Sequence, residues 1–345
     1  MHMSDALITP ATGTAGFLIS GSVIAYSLYK LKKNENNIQV PLMGIMGAFI
    51  FAAQMINFAI PGTGSSGHIC GSLLLAVLLG PYASMVVISS VLVTQALFFA
   101  DGGLMALGCN IINMGVIPCF IAFPFIYRPI AGNSPTKKRL WTACIIASII
   151  GLQIGAFAVV LETTLSGISE LDFKNFAMIM LPIHIPIAFI EGLITASILT
   201  TIKESKPELF CNALNTENNN FSLKKVYLSL ILLTVLTGGV ISWFASSSPD
   251  GLEWAIAKTS NDKEIVNTSK LKLKLENIQE KTAFLPDYGF KNSESNKISE
   301  LSGTSLSGIV GAVITLLLAI ILGFTMRLLQ TKKLKSNNSL QPNEI

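Results

Sequence analysis

LWTACIIASIIGLQIGAFAVVL, residues 140–161, holds no charged side chain and is long enough to cross a bilayer core, which takes about 20 apolar residues in a helix. Similar runs occur at 14–31, 41–60, 68–83, 84–100, 107–127, 176–202, 226–245 and 307–329, giving nine candidate helices. The third and fourth are short and divided by Gly80-Pro81, a turn or kink signal. Composition agrees with a bilayer as the main solvent. Hydrophobic residues make up 51% of the 345, charged residues 13%, and mean hydropathy is +0.59, too apolar for a soluble protein of this length. The five cysteines are odd in number, and four (Cys70, Cys109, Cys119, Cys144) lie in apolar stretches, so no disulfide framework is indicated. Nothing points to nucleic acid.

The expected fold is an all-α polytopic membrane protein. Residues 1–202 read as a seven-helix transmembrane unit with short connections. An Asn-rich linker, 203–225, leads to a two-helix module at 226–329 with a long external loop at 246–305, then a tail at 330–345. The loop, with SNDKE and SESNK, is polar, and no fold is assigned to it.

Basic residues set the expected orientation. With the amino terminus outside, fifteen of the 24 fall on cytoplasmic segments: Lys30, Lys32, Lys33; Arg128, Lys137, Lys138, Arg139; Lys203, Lys206, Lys224, Lys225; and Arg327, Lys332, Lys333, Lys335. Short outer loops carry Lys174 alone, and the other eight sit in the long loop, where charge matters little. The amino terminus is therefore expected outside and the carboxyl terminus inside. No basic run precedes the first apolar segment, so a signal peptide is not expected. Met1 is expected to stay, because methionine removal needs a small second residue and residue 2 is His.

The histidines are His2, His68 and His184, and this topology puts His2 and His68 on one side. A terminal amine, the His2 amide nitrogen and His2 Nδ1 can close a five- and a six-membered ring on one ion. His68 can supply a fourth nitrogen. A planar set of four nitrogens suits Ni(II) or Cu(II), whereas Zn(II) prefers a tetrahedron and Mg(II) or Ca(II) prefer oxygen. The competing reading of His2 is a solvated chain end, and of the Gly-rich run PGTGSSGH (61–68) an ordinary tight connection. Thr63 and Gly67 belong to that run. Gln54 with Asn57, Asn110 with Asn113, and His184 with Glu191 have spacings that share a helix face. Such groups at membrane depth face the bundle interior, where they either orient the loop around His68 or join helices by hydrogen bonds.

These residues are similar to a known family. MHMSDALITP (1–10), GTGSSGHICGSLLLAVLLGP (62–81), LGCNIINMGV (107–116) and HIPIAFIEGLIT (184–195) resemble the signature blocks of the CbiM/NikM substrate-binding components of energy-coupling-factor cobalt and nickel transporters. SSSPDGLEWAIAKT (246–259) resembles the PDGLE segment of the NikN-type accessory subunit, so the chain looks like a fused NikMN protein. Met3 and Ser4 depart from the family's usual opening. The resemblance implies Met1, His2 and His68 as ligands of Ni2+, or Co2+, as transported substrate. It also implies a PDGLE module that promotes metal loading, and residence as a multi-pass protein in the cytoplasmic membrane. The implied partners are a NikQ/CbiQ-like coupling transmembrane subunit and a NikO/CbiO-like cytoplasmic ATPase. The chain has no GxxxxGK[ST] phosphate loop of its own. On the first helix Ser20, Gly21 and Ala25 are small, and Gly21 and Ala25 are spaced for close packing against the coupling subunit. Asp250 and Glu253 are read mainly as a helix cap. Rival readings are an ion-coupled secondary carrier using His184 and Glu191, or an intramembrane serine hydrolase built on Ser66.

Overall fold

A computed structural model describes residues 1–33, 40–167, 170–205, 224–263, 265, 269–291 and 297–338. Most of the expected linker and the end of the tail lie outside these residues. Eleven helices are described here: α1 Pro10–Lys33, α2 Val40–Gln54, α3 Ser72–Leu79, α4 Pro81–Phe99, α5 Leu107–Ala131, α6 Lys137–Leu165, α7 Phe173–Ser205, α8 Lys224–Gly239, α9 Gly251–Ser260, α10 Lys270–Thr282 and α11 Lys297–Asn338. A hairpin of β1 Phe58–Ile60 and β2 Ser65–Gly67 separates α2 from α3.

The chain is a polytopic membrane protein. Among the described residues six helices are long and apolar enough to cross a bilayer: α1, α4, α5, α6, α7 and the Leu301–Thr325 part of α11. Their outward faces carry large apolar side chains such as Leu18, Phe125, Leu165 and Leu317, as a surface solvated by lipid tails requires.

Two expected helices are corrected. The run at 41–60 is helical to Gln54 alone, and the run at 68–83 holds α3, whose eight residues rise about 12 Å, too little to span. The physical reason is that the chain re-enters the bundle here. The hairpin and residues 68–71 are non-helical backbone packed against α7, and their polar groups find partners inside the protein. Glu191, well along α7, accepts from Cys70 N and Gly71 N, both at 3.0 Å. A Cβ on Gly67 would lie 2.6 Å from Ile187, so only glycine lets the hairpin lie this close. Between α3 and α4, Gly80 sits at φ 79°, ψ 163°, beyond the reach of a chiral residue, and Pro81 starts α4 without needing an amide partner.

The appended helices pack on the first unit. α2 is buried along its length between α4, α8 and α11. Glycines on both helices let α2 and α11 meet: a Cβ on Gly44 of α2 would meet Ile320, one on Gly47 of α2 would meet Thr315, and one on Gly311 of α11 would collide with the Phe51 ring. The described parts of the long loop at 246–305, to which composition assigns no fold, contain helices. α9 lies on α7 with Leu252 and Ala255 buried, and α10 caps the end of α4 through Gln279, whose Nε2 donates to the carbonyls of Ala96 (2.9 Å) and Gly102 (2.8 Å). Polar composition hid this, because the loop folds by bonding to another part of the chain.

Overpacking a helix contact costs about 1–3 kcal/mol. Gly311→Ala is therefore expected to lower the melting temperature of the detergent-solubilised protein. Gly21→Ala, on a face where a Cβ meets nothing within 4 Å, should leave it unchanged or raise it.

Candidate metal centre

The site forms where the first nine residues enter the end of the bundle that also holds the hairpin. Buried backbone needs partners, and Asn110 on α5 supplies two: its Oδ1 accepts from Met3 N at 2.8 Å and its Nδ2 donates to Met3 O at 3.1 Å. Gly103 N donates to the same carbonyl at 2.9 Å. Two residues on, Asp5 Oδ1 accepts from Ala106 N at 2.9 Å, and a Cβ on Gly103 would collide with that carboxylate. The chain end is thus fixed by its own backbone before any side chain is considered.

Met1 and His68 meet as a result. The terminal ammonium lies 3.4 Å from His68 Nε2 and 3.2 Å from Asp250 Oδ2. The His2 and His68 rings stack at a centroid distance of 5.1 Å and an angle of 20°. His68 Nδ1 faces the Ile69 carbonyl at 3.1 Å, and a carbonyl only accepts, so the ring hydrogen is on Nδ1 and the Nε2 lone pair faces Met1. His2 Nδ1 lies 3.3 Å from Asp101 Oδ1, and its Nε2 lies 3.2 Å from Gln95 Oε1.

Burial, reinforced by the ammonium, lowers His2 and His68 to about 3, so both are neutral at pH 7. Burial also raises Asp101. For Asp250 burial works upward, yet the ammonium, the His68 imidazole and hydrogen bonds together hold it below the usual carboxylate range. Neutral imidazoles beside an amine form a nitrogen-rich donor set of the kind borderline divalent metals take. A cavity of about 570 Å³ reaches His2 and His68, and its wall includes Asp5, Asp101, Asp250, Glu253, Glu276 and Asp287, a lining that favours cations.

The other sequence candidates divide. Asn110 grips the terminus directly. Asn113 Nδ2 donates to Glu162 Oε2 at 2.8 Å and approaches Met3 Sδ at 3.8 Å, so it packs under the terminal segment. Glu191 holds the backbone just after His68, and Gly67 permits the hairpin's close approach. His184 is buried with Nδ1 2.8 Å from the Met180 carbonyl, and it lines a cavity of about 10 Å³ together with Met1, His68 and Asp250. Thr63 shapes the hairpin turn, its hydroxyl donating to Ile60 O at 2.9 Å. Asn57 does not share a helix face with Gln54, because α2 has ended; its carbonyl accepts from Ser246 N at 2.7 Å. Gly21 and Ala25 lie far from the site on the exposed face of α1. Ser66 donates to Ser248 O at 2.7 Å and has no imidazole partner among the described contacts, which removes the basis of the hydrolase reading.

Asp250 does more than cap. Its Oδ1 accepts from Leu252 N and Glu253 N at 2.8 Å, closing a capping box with Glu253, while Oδ2 takes the Met1 ammonium. The preceding residues run along β2, with Ser66 N donating to Pro249 O at 2.8 Å, and this backbone pairing carries Asp250 to the terminus. Sequence reading missed Asp5, Gln95, Asp101 and Tyr288. Asp101-Gly102-Gly103, an acid and two glycines at the end of an apolar run, was the one local signal.

The family description "Cobalt uptake substrate-specific transmembrane region", CbiM, matches residues 2–209, and the PDGLE domain matches 224–328. The chain belongs to the CbiM family. With its PDGLE part it is 29% identical, over 92% of its length and 96% of the relative's, to a proposed fused nickel transport protein NikMN of Archaeoglobus fulgidus. A cobalt transport protein CbiM of Geobacter sulfurreducens is 28% identical over 61% of each chain. Two crystal structures, of a transition metal transporter and of a truncated one, superpose on this chain with TM-scores of 0.52 and 0.51 at 28% identity. They cover 60% and 59% of this chain and 95% and 99% of theirs. As a CbiM protein with a PDGLE module, the chain is a multi-pass component of metal transport.

Asp250→Asn keeps a good helix cap and removes the charge that tethers the ammonium. The α-amine of the variant is expected to react faster with an acylating reagent, read by mass spectrometry of the terminal peptide. An unchanged rate would mean that the Met3 clamp alone holds the terminus.

Proposed function

We propose that this chain is the substrate-specific subunit for ATP-driven uptake of a divalent transition-metal ion, nickel ahead of cobalt. Met1 N, the His2 amide nitrogen, His2 Nδ1 and His68 Nε2 are the proposed ligands. One observation carries the reading: a terminal amine, a second-residue histidine and a distant histidine converge at a recessed, mostly buried point. Planar coordination by four nitrogens favours Ni(II), and the relative named above that spans both parts carries a nickel transport name, while relatives of the CbiM unit are named for cobalt.

The proposed units are the metal-binding domain 1–202 and the PDGLE module 226–329, in the cytoplasmic membrane with the amino terminus outside. Energy comes from partners, a coupling transmembrane subunit and a cytoplasmic ATPase. Gly21 and Ala25 offer the coupling subunit a flat strip on α1, exposed and free of neighbours at Gly21.

Calorimetric nickel titration of the purified full chain tests the ligands. A glycine added before Met1 blocks the terminal amine and spares both rings. That change and His68→Ala are each expected to weaken binding by more than the about 10–100-fold that loss of an outer hydrogen-bond partner brings. Equal binding by the extended chain would move the site to His184 and Glu191. In vesicles with the partners, Gly21→Leu is expected to abolish uptake and leave nickel affinity unchanged. Uptake without any ATPase would instead support an ion-coupled carrier.

A further inference from the structure

The side chains of the first four residues alternate between two environments. Met1 and Met3 are buried, at 8% and 0% exposure, while His2 and Ser4 line the large cavity. Extended backbone sends successive side chains to opposite faces, and Ser4, at φ −82° and ψ 162°, is extended. The terminal segment therefore turns His2 toward the cavity and its two methionines into the bundle.

Met3 is held through its backbone by Asn110 and Gly103. Residue 1 is held differently. Its hydrogen bonds among the described contacts are made by its nitrogen alone, to His68 Nε2 and Asp250 Oδ2. In the proposed loaded site His68 Nε2 turns to the ion and the terminal nitrogen becomes a ligand, so neither bond persists as it stands. What the ion leaves in place is the packing of the Met1 side chain.

That packing is close. The side chain belongs to the bundle core and reaches Gly155 in the interior of α6. A Cβ at Gly155 would lie 3.3 Å from Met1 Cε and 3.1 Å from the Asn113 carbonyl oxygen of α5. Leu152, one turn earlier on α6, and Met114 on α5 line a small cavity together with Met1. Glycine at 155 thus opens an apolar slot between α5 and α6 where the first side chain sits.

We propose that the Met1 side chain is a positioning element of the metal site: seated in this slot, with Gly155 as its floor, it keeps the terminal nitrogen opposite His68. The proposal rests on the chelate reading above and gives the first residue a role through its side chain besides its amine. A free chain end otherwise frays, and the conformational entropy lost in fixing it is offset by burial of an apolar side chain.

Purified full chains that differ at the first residue alone test this. Each is released by cutting a leader peptide directly before residue 1, so the free amine, His2 and His68 are all retained. Met1→Gly is expected to bind nickel about 10–100-fold more weakly, the loss set by the burial of one such side chain. Its α-amine is expected to acylate faster in the metal-free protein. Met1→Leu keeps apolar bulk without sulfur and should keep most of the affinity and the slow acylation. Gly155→Ala crowds the slot and should weaken binding by the native chain, yet add little to Met1→Gly, where no side chain is left to displace. A Met1→Gly protein with native affinity and acylation rate overturns the proposal, because the Met3 clamp then suffices. Met1→Leu as weak as Met1→Gly overturns it too, since sulfur and not bulk would matter. The variants at position 1 decide the outcome even where Gly155→Ala does not fold. Acylation is read without metal, so a chain whose amine is shielded by Met1 and which binds no nickel would sink the ligand assignment while leaving the slot in place.

Discussion

The structure turns on a charged chain end held inside the protein. An isolated ammonium in a low-dielectric interior is strongly unfavourable, so the fold must supply counter-charge, acceptors and a rigid approach for the first residues. Asp250 supplies the charge, His68 Nε2 the neutral acceptor, and Asn110 with Gly103 the backbone partners at Met3. Each of these groups needs support of its own. His68 depends on the hairpin, the hairpin on Gly67 and Glu191, and Asp250 on the capping box of α9 and the pairing of residues 246–250 along β2.

The re-entrant segment follows from the same demand. Reaching the terminus requires non-helical backbone inside the bundle, which a protein interior tolerates when its polar groups are met. Glu191 and Gln54 meet the groups around Cys70, and α2, enclosed by α4, α8 and α11, seals that side from the bilayer. The two appended helices therefore cover a helix of the first unit and carry α9, α10 and Tyr288 to the mouth of the site. The module contributes without a histidine or cysteine of its own: it brings a carboxylate to the amine, a hydroxyl to Asp101 and acidic side chains to the cavity wall.

Much of this was legible in the sequence because it is local. Apolar runs of spanning length, the loops between them, the Gly80-Pro81 break and the asparagines of α5 announce themselves within a few residues. The blocks around His2, His68 and PDGLE mark the family through residues that are neighbours in the chain. Where reading failed, the cause was partnership at a distance. Hydropathy extended α2 through the hairpin and made α3 a span, since it counts apolar residues and cannot see a backbone bonded to Glu191 far along the chain. Polar composition left the long loop without a fold, since its partners, the β2 edge and the end of α4, are far away in sequence.

The sequence by itself determined a multi-pass helical protein with an amino-terminal histidine and a second histidine behind a glycine-rich run, because solvent preference and turn chemistry are properties of neighbouring residues. The tertiary structure alone decided that Met1, His2, His68 and Asp250 share one point, and that His68 turns Nε2 toward the terminal amine. Those outcomes depend on the direction of hydrogen bonds between groups up to 249 residues apart, and direction exists only once both partners are in place.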